Sequence, residues 1–104
     1  MTITKISAFE AEAETNHLLH DILPDRFTAF DARFDQVANV WRVPVVLAYP
    51  VIGPVGEVGE VLVSASYAQI VSYTPVDEMK TRARDLYQQH REAIEAAFLQ
   101  TRDA

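Results

Sequence analysis

The stretch Val40–Tyr49 constrains the fold more than any other. Trp41, Val43, Val45, Leu47 and Tyr49 alternate with Val40, Arg42, Pro44, Val46 and Ala48. A period of two places the first set on one face of a strand and the second on the other. Pro44 has no amide to donate, so it belongs at an edge, at a bulge or on the unpaired side of that strand.

A strand of this kind needs neighbours. Residues 57–64 and 69–73 read as two more, joined through Ala65-Ser66-Tyr67-Ala68. Residues 26–34 read as an earlier strand carrying Phe27, Phe30 and Phe34. The parity of those aromatics changes after Ala29, which a bulge or a late start would explain. Residues 35–39 are expected to turn. The short connections between strands predict antiparallel pairing, because a parallel crossover needs more chain. Residues 50–56 (Pro-Val-Ile-Gly-Pro-Val-Gly) read as a loop by their Pro and Gly content, but an unusually apolar one.

Helical signals flank the strands. Ser7-Ala8-Phe9-Glu10 has the pattern of a capping box and opens a helix over 8–23, stopped by Pro24. Thr74 and Pro75 open a second helix, with Asp77 and Glu78 in its first turn. Its apolar set is Val76, Met79, Ala83, Leu86, Tyr87, His90, Ile94, Ala97 and Phe98, in steps of three and four. Glu78–Arg82 and Arg91–Glu95 are pairs four apart on this helix. The expected architecture is one α+β domain over residues 1–104. It has an N-terminal helix, an antiparallel meander of three or four strands, and a long C-terminal helix packed on the sheet. Trp41, Val43, Val45, Leu47, Val61 and Val63 feed the covered side, and Tyr73 joins either the core or its rim. A helix over 75–100 would run about 40 Å, against a radius of gyration near 13 Å for a domain this size. Its end, with Ile94 and Phe98, is expected to overhang and to find a partner in a symmetric homodimer.

Composition narrows the function. The 104 residues carry 9 basic and 15 acidic side chains, a formal charge of −6. That excess argues against nucleic acid or an anionic membrane as the main partner, since both attract basic surfaces. It permits a basic protein partner. Residues 1–23 hold one base against four acids, so the surplus concentrates on the first helix. With no cysteine, disulfides, thiolate nucleophiles and thiolate metal sites are all excluded. Met1-Thr2-Ile3-Thr4-Lys5 leads into no apolar run, so no signal peptide is expected. The longest apolar run falls far short of a membrane span. A soluble cytoplasmic protein is the default expectation.

Chemical motifs are sparse. His17 and His20 lie three apart on the first helix and, with Glu14 or Asp21, would suit zinc or nickel if His90 supplied a third imidazole. Two histidines without a fixed third ligand read more simply as boundary residues, so no metal or other cofactor is expected. Glu57 and Glu60 fall on opposite faces of a strand and make no acid–base pair. No nucleophile elbow, phosphate loop or HExxH motif occurs. Val55-Gly56-Glu57-Val58-Gly59-Glu60 is a short echo, in which Gly56 opens a strand and Gly59 allows twist or the close approach of a helix or of Trp41. Lys80, Arg82, Arg84 and Arg91 are outnumbered on their helix by acids, and read as a solvated mixed-charge face.

The segments from Val40-Trp41-Arg42-Val43-Pro44-Val45 to Gly56-Glu57-Val58-Gly59-Glu60-Val61-Leu62-Val63, and then Ser72-Tyr73-Thr74-Pro75-Val76-Asp77-Glu78-Met79, resemble a group of small uncharacterised bacterial proteins, often cyanobacterial. The likeness covers nearly the whole chain and implies no activity. The order of elements is also similar to the PepSY module. The last two strands of that module are joined by an Asp-Ala-x-Thr-Gly-type turn, where this chain has Ser64-Ala65-Ser66-Tyr67-Ala68. That resemblance implies binding or inhibition.

The sequence thus predicts a non-catalytic interaction or inhibitory module, a homodimer, and not an enzyme. Its partner surface is assigned to the apolar loop, an open sheet edge suited to strand addition, or the overhanging helix, with Tyr49, Val51, Ile52, Val55, Ile94 and Phe98 as its residues. One form is the acidic, antitoxin-like partner of a basic effector. The alternative is a small-ligand or weakly catalytic domain using the cleft between sheet and helix, with His17, His20 or His90 beside Tyr67 or Tyr73.

Overall fold

The computed structural model describes residues 5–103, with side chains as far as residue 99. Residues 1–4, where no leader was expected, lie outside that range. The elements run α1 (Ala8–Ile22), β1 (Phe27–Ala29), β2 (Arg33–Asp35), β3 (Val40–Tyr49), β4 (Gly53–Ser64), β5 (Ile70–Tyr73), α2 (Val76–Gln89) and α3 (Arg91–Asp103). The chain is α+β, with a five-stranded antiparallel sheet. β3 pairs with both β1 and β2 on one side and with β4 on the other, and β5 closes the far edge. Among the described residues, no helix is long and apolar enough to cross a membrane.

The alternation in β3 holds for the core-facing set, although Val40 and Val46 on the other face are buried as well. Val43, Val45 and Leu47 are buried and join Val61 and Val63 of β4 in the core, with Trp41 and Tyr49 packed against it. Leu19 and Ala11 of α1, and Met79 and Ala83 of α2, belong to the same cluster, so both helices cover one face of the sheet. Tyr73 stays on the rim, 42% exposed. Trp41 donates its indole N–H to the Ile6 carbonyl at 3.1 Å, which ties the entry of α1 to the sheet. The capping box forms in both directions. Ser7 N donates to Glu10 Oε1 at 3.0 Å, and Glu10 N donates to Ser7 Oγ at 3.1 Å.

Four local expectations are corrected. The strand over 26–34 is two short strands. Ala29 faces Val45 and Arg33 faces Arg42, so three residues of one strand oppose two of the other. Asp31 takes a positive φ of 54° at that irregularity, and this is the cause of the parity change among the aromatics. The loop over 50–56 is mostly strand, because β4 begins at Gly53.

The long C-terminal helix is two helices that meet at His90 (φ −112°, ψ 15°). Neither proline nor glycine marks the bend. The His90 amide is shared between the Leu86 and Tyr87 carbonyls at 3.0 and 3.2 Å, a tightening common in a last turn. The His90 carbonyl then accepts from Ile94 N to start α3. Thr74 does not cap α2. Its hydroxyl accepts from Glu60 N at 3.0 Å and its amide donates to Glu60 O at 3.0 Å, so it extends the ladder beyond β5. The N-cap position falls to Pro75, which makes no side-chain capping bond.

The Val-Gly-Glu echo in β4 has a structural meaning. Val45 faces Gly59 and Val46 faces Glu57, which leaves Val58 as an extra residue; Leu47 faces Gly56 and Ala48 faces Pro54, which leaves Val55 as another. Val58 is fully buried in the core and Val55 packs against it. Each bulge is followed by a glycine beneath α2. A Cβ on Gly59 would lie 2.8 Å from Met79 Cγ and 2.9 Å from Thr74 Cβ, and one on Gly56 would lie 2.7 Å from Leu86 Cδ2. The two glycines let α2 sit close to the sheet.

Candidate functional site

The end of the β3–β4 hairpin, the second half of α2 and the start of α3 converge. Tyr49 pairs with Gly53 across a turn of Pro50, Val51 and Ile52. Ile52 N donates to Pro50 O at 2.8 Å and Val51 has φ 73°, an arrangement of the γ-turn kind. Positive φ in a β-branched residue is strained.

Tyr49 is half-buried between two neighbours. Its ring lies 6.4 Å from that of Tyr87, and the Arg26 guanidinium stands 5.5 Å above its centroid. Burial raises the Tyr49 phenol pKa above its usual value, and Tyr87 adds to the shift while Arg26 opposes it. The phenol therefore stays protonated and able to donate near neutrality.

Tyr49, Tyr87, Ile94, Glu95, Phe98 and Leu99 line an apolar hollow of about 390 Å³. Beyond His90, Ile94 of α3 lines this hollow and is 3% exposed, whereas Phe98 is 52% and Leu99 59% exposed. Glu95 is held by Arg91 at 3.1 Å. Tyr49 and Tyr87 also wall a second hollow, of about 310 Å³, between α2 and β1.

Of the six residues assigned to partner binding, Tyr49, Ile94 and Phe98 meet here. Val51, Ile52 and Val55 do not line the hollow. Val55 is drawn against the core and Ile52 is half-buried, so only Val51 at the hairpin tip remains openly exposed. Sequence reasoning missed Tyr87 and Leu99 as site residues. Tyr87 lay within the helical apolar stripe, and its proximity to Tyr49 depends on how α2 crosses β4.

The histidines are dispersed. His20 borders a hollow near the end of α1 with Asp25 and Thr28, His17 is exposed, and His90 sits at the helix bend. Among the described residues, no three His, Asp or Glu side chains are gathered to hold a metal ion. Tyr67 lies in the β4–β5 turn and is exposed.

The sheet edges differ. On the β1–β2 side, Asn16 Oδ1 accepts from Ala29 N at 2.8 Å and Glu12 Oε2 accepts from Ala32 N at 2.8 Å. Side chains of α1 thus occupy amides that would otherwise template another strand. β5 is only four residues long and carries an extra residue, Val71, in its pairing with β4.

Comparison with protein-family models, with curated proteins and with solved structures finds no match to this chain.

Proposed function

We propose that this chain is a non-catalytic interaction module that pairs with a second copy of itself through α3 and the hollow behind it. The observation that carries this reading is the exposure of Phe98 and Leu99 beside an open apolar hollow floored by Tyr49 and Tyr87. Knob and hollow lie on the same patch. Phe98 and Leu99 also line the hollow, so a two-fold axis through the patch would set the two apolar surfaces face to face, as an isologous interface requires.

The surface area supports a copy as the occupant. The chain exposes 6728 Å², about 850 Å² more than a folded monomer of its mass usually does. A standard interface removes about 800 Å² per partner. The chain is also drawn out, with extents of 53 × 28 × 22 Å and a radius of gyration of 15.3 Å.

Sedimentation equilibrium from micromolar to millimolar concentration tests the proposal. Wild type is expected to approach dimer mass, and Phe98→Ser to remain monomeric with an unchanged melting temperature. A wild-type chain that stays monomeric throughout contradicts it, and so does a dimer that Phe98→Ser leaves intact. An apolar small molecule that fills the hollow and leaves the chain monomeric would favour the ligand-binding alternative.

A further inference from the structure

The second hollow has a different chemistry. Its walls are Phe27, Leu47, Tyr49 and Ala83, and its rim carries Arg26, Lys80 and Arg84. Four other arginines are neutralised. Arg33 pairs with Asp31, Arg42 with Asp35 and Glu60, Arg82 with Glu78, and Arg91 with Glu95. No described carboxylate forms an ion pair with Arg26, Lys80 or Arg84. In a chain with 15 acidic side chains, three unpaired cations around one cleft are a specific placement.

Two of the three are also set against each other. Lys80 and Arg84 are four apart on α2, so they are neighbours on its surface, and like charges in that relation destabilise a helix. Arg26 approaches from the strand side, held over the face of Tyr49. An anion seated between them would relieve the repulsion.

From this juxtaposition we infer that the cleft is a binding site for a small phosphate monoester bearing a planar ring. A phosphate monoester carries about −1.5 to −2 charge at neutral pH, which suits three cations better than a single carboxylate does. The guanidinium fork matches phosphate oxygens in pairs, and the ammonium adds a point charge. The protonated Tyr49 phenol, on the same wall, supplies a neutral donor. Phe27, Tyr49 and Tyr87 offer aromatic surface for an offset-stacked or edge-on ring. The volume of about 310 Å³ falls at the small end of ligand pockets, which run roughly 300–1,000 Å³. A long polyanion is disfavoured by the chain's net charge of −6.

The test is calorimetric titration at low salt with phenyl phosphate, inorganic phosphate and benzoate as separate probes. Phenyl phosphate is expected to bind at least tenfold more tightly than either of the others, and its affinity should fall as salt rises. Arg26→Ala and Arg84→Ala should each weaken it at least tenfold, with melting temperatures close to wild type. Repeating the titration on Phe98→Ser separates this site from self-association, since the affinity there should not change. No heat with phenyl phosphate overturns the inference, as does binding that both Arg variants leave intact. Equal affinity for all three probes also overturns it.

Discussion

The two helices that cover the sheet do opposite things with their polar side chains. On α1, Ser7 and Glu10 close the capping box, Glu12 and Asn16 hold strand amides, and Thr15 donates to the Ala11 carbonyl inside the core. On α2, Lys80 and Arg84 form no ion pair and face an open cleft. Both helices bury apolar residues equally well, with Leu19 at 2% and Met79 at 0% exposure. The difference lies only in the polar groups. Those α1 groups are committed to architecture, whereas on α2 Arg82 pairs with Glu78 and donates to the Val58 carbonyl but Lys80 and Arg84 form no ion pair. Groups that the fold does not use are the ones available for recognition, and this contrast supports the proposal that recognition lies at the Tyr49 and Tyr87 end.

Deleting the shared core should hurt both helices alike. Leu19→Ala and Met79→Ala are each expected to cost about 3 kcal/mol in urea unfolding. A much smaller loss for one of them would show that its helix is docked loosely. The next largest effect is expected beneath α2. Gly59→Ala meets Met79 Cγ and the branched Cβ of Thr74, and should cost about 2 kcal/mol by overpacking. Gly56→Ala meets the far end of the Leu86 side chain, which can turn aside, and should cost less than half of that.

The polar contrast predicts smaller effects of opposite sign. Asn16→Ala removes the acceptor of the Ala29 amide and should destabilise by about 1 kcal/mol. Lys80→Ala removes a like-charge neighbour and should leave stability unchanged or raise it by a few tenths of a kcal/mol at low salt. Equal losses at both positions would break the comparison between the helices.

The smallest expected effect concerns a charge already in use. Asp35 accepts from the Ala38 and Val37 amides and from Arg42, and these bonds, the Ala38 amide foremost, lower its pKa below the usual carboxylate range. A lowered folded pKa stabilises the fold above the unfolded value, and that contribution is lost as pH falls through the folded value. Acid unfolding should therefore be shallower in Asp35→Asn than in wild type at pH below about 4. Identical slopes would mean that the cluster contributes nothing to folding.

Much of this architecture was legible in the residues. The period-two run in β3 placed its buried face correctly, and Ser7 and Glu10 marked the start of α1. The parity change after Ala29 signalled the irregularity between β1 and β2. Other features were hidden for physical reasons. An extra residue at Val55 or Val58 moves side chains between faces, and only the register against β3 reveals it. The bend at His90 carries no helix-breaking residue, so the periodicity runs straight through it. The basic cleft was invisible because Arg26 meets Lys80 and Arg84 only after β1 and α2 come together. On α2 alone, those charges read as a solvated mixed face.

The central claim is that recognition sits at the Tyr49–Tyr87 end and begins with a second copy of the chain. Amide chemical shifts followed by NMR on dilution from millimolar to micromolar test it most directly. The account predicts shifts concentrated in α3, around Tyr87 and around Tyr49, with α1 and β5 unmoved. Shifts centred on the β5 edge or on α1, or none at any concentration, would contradict it.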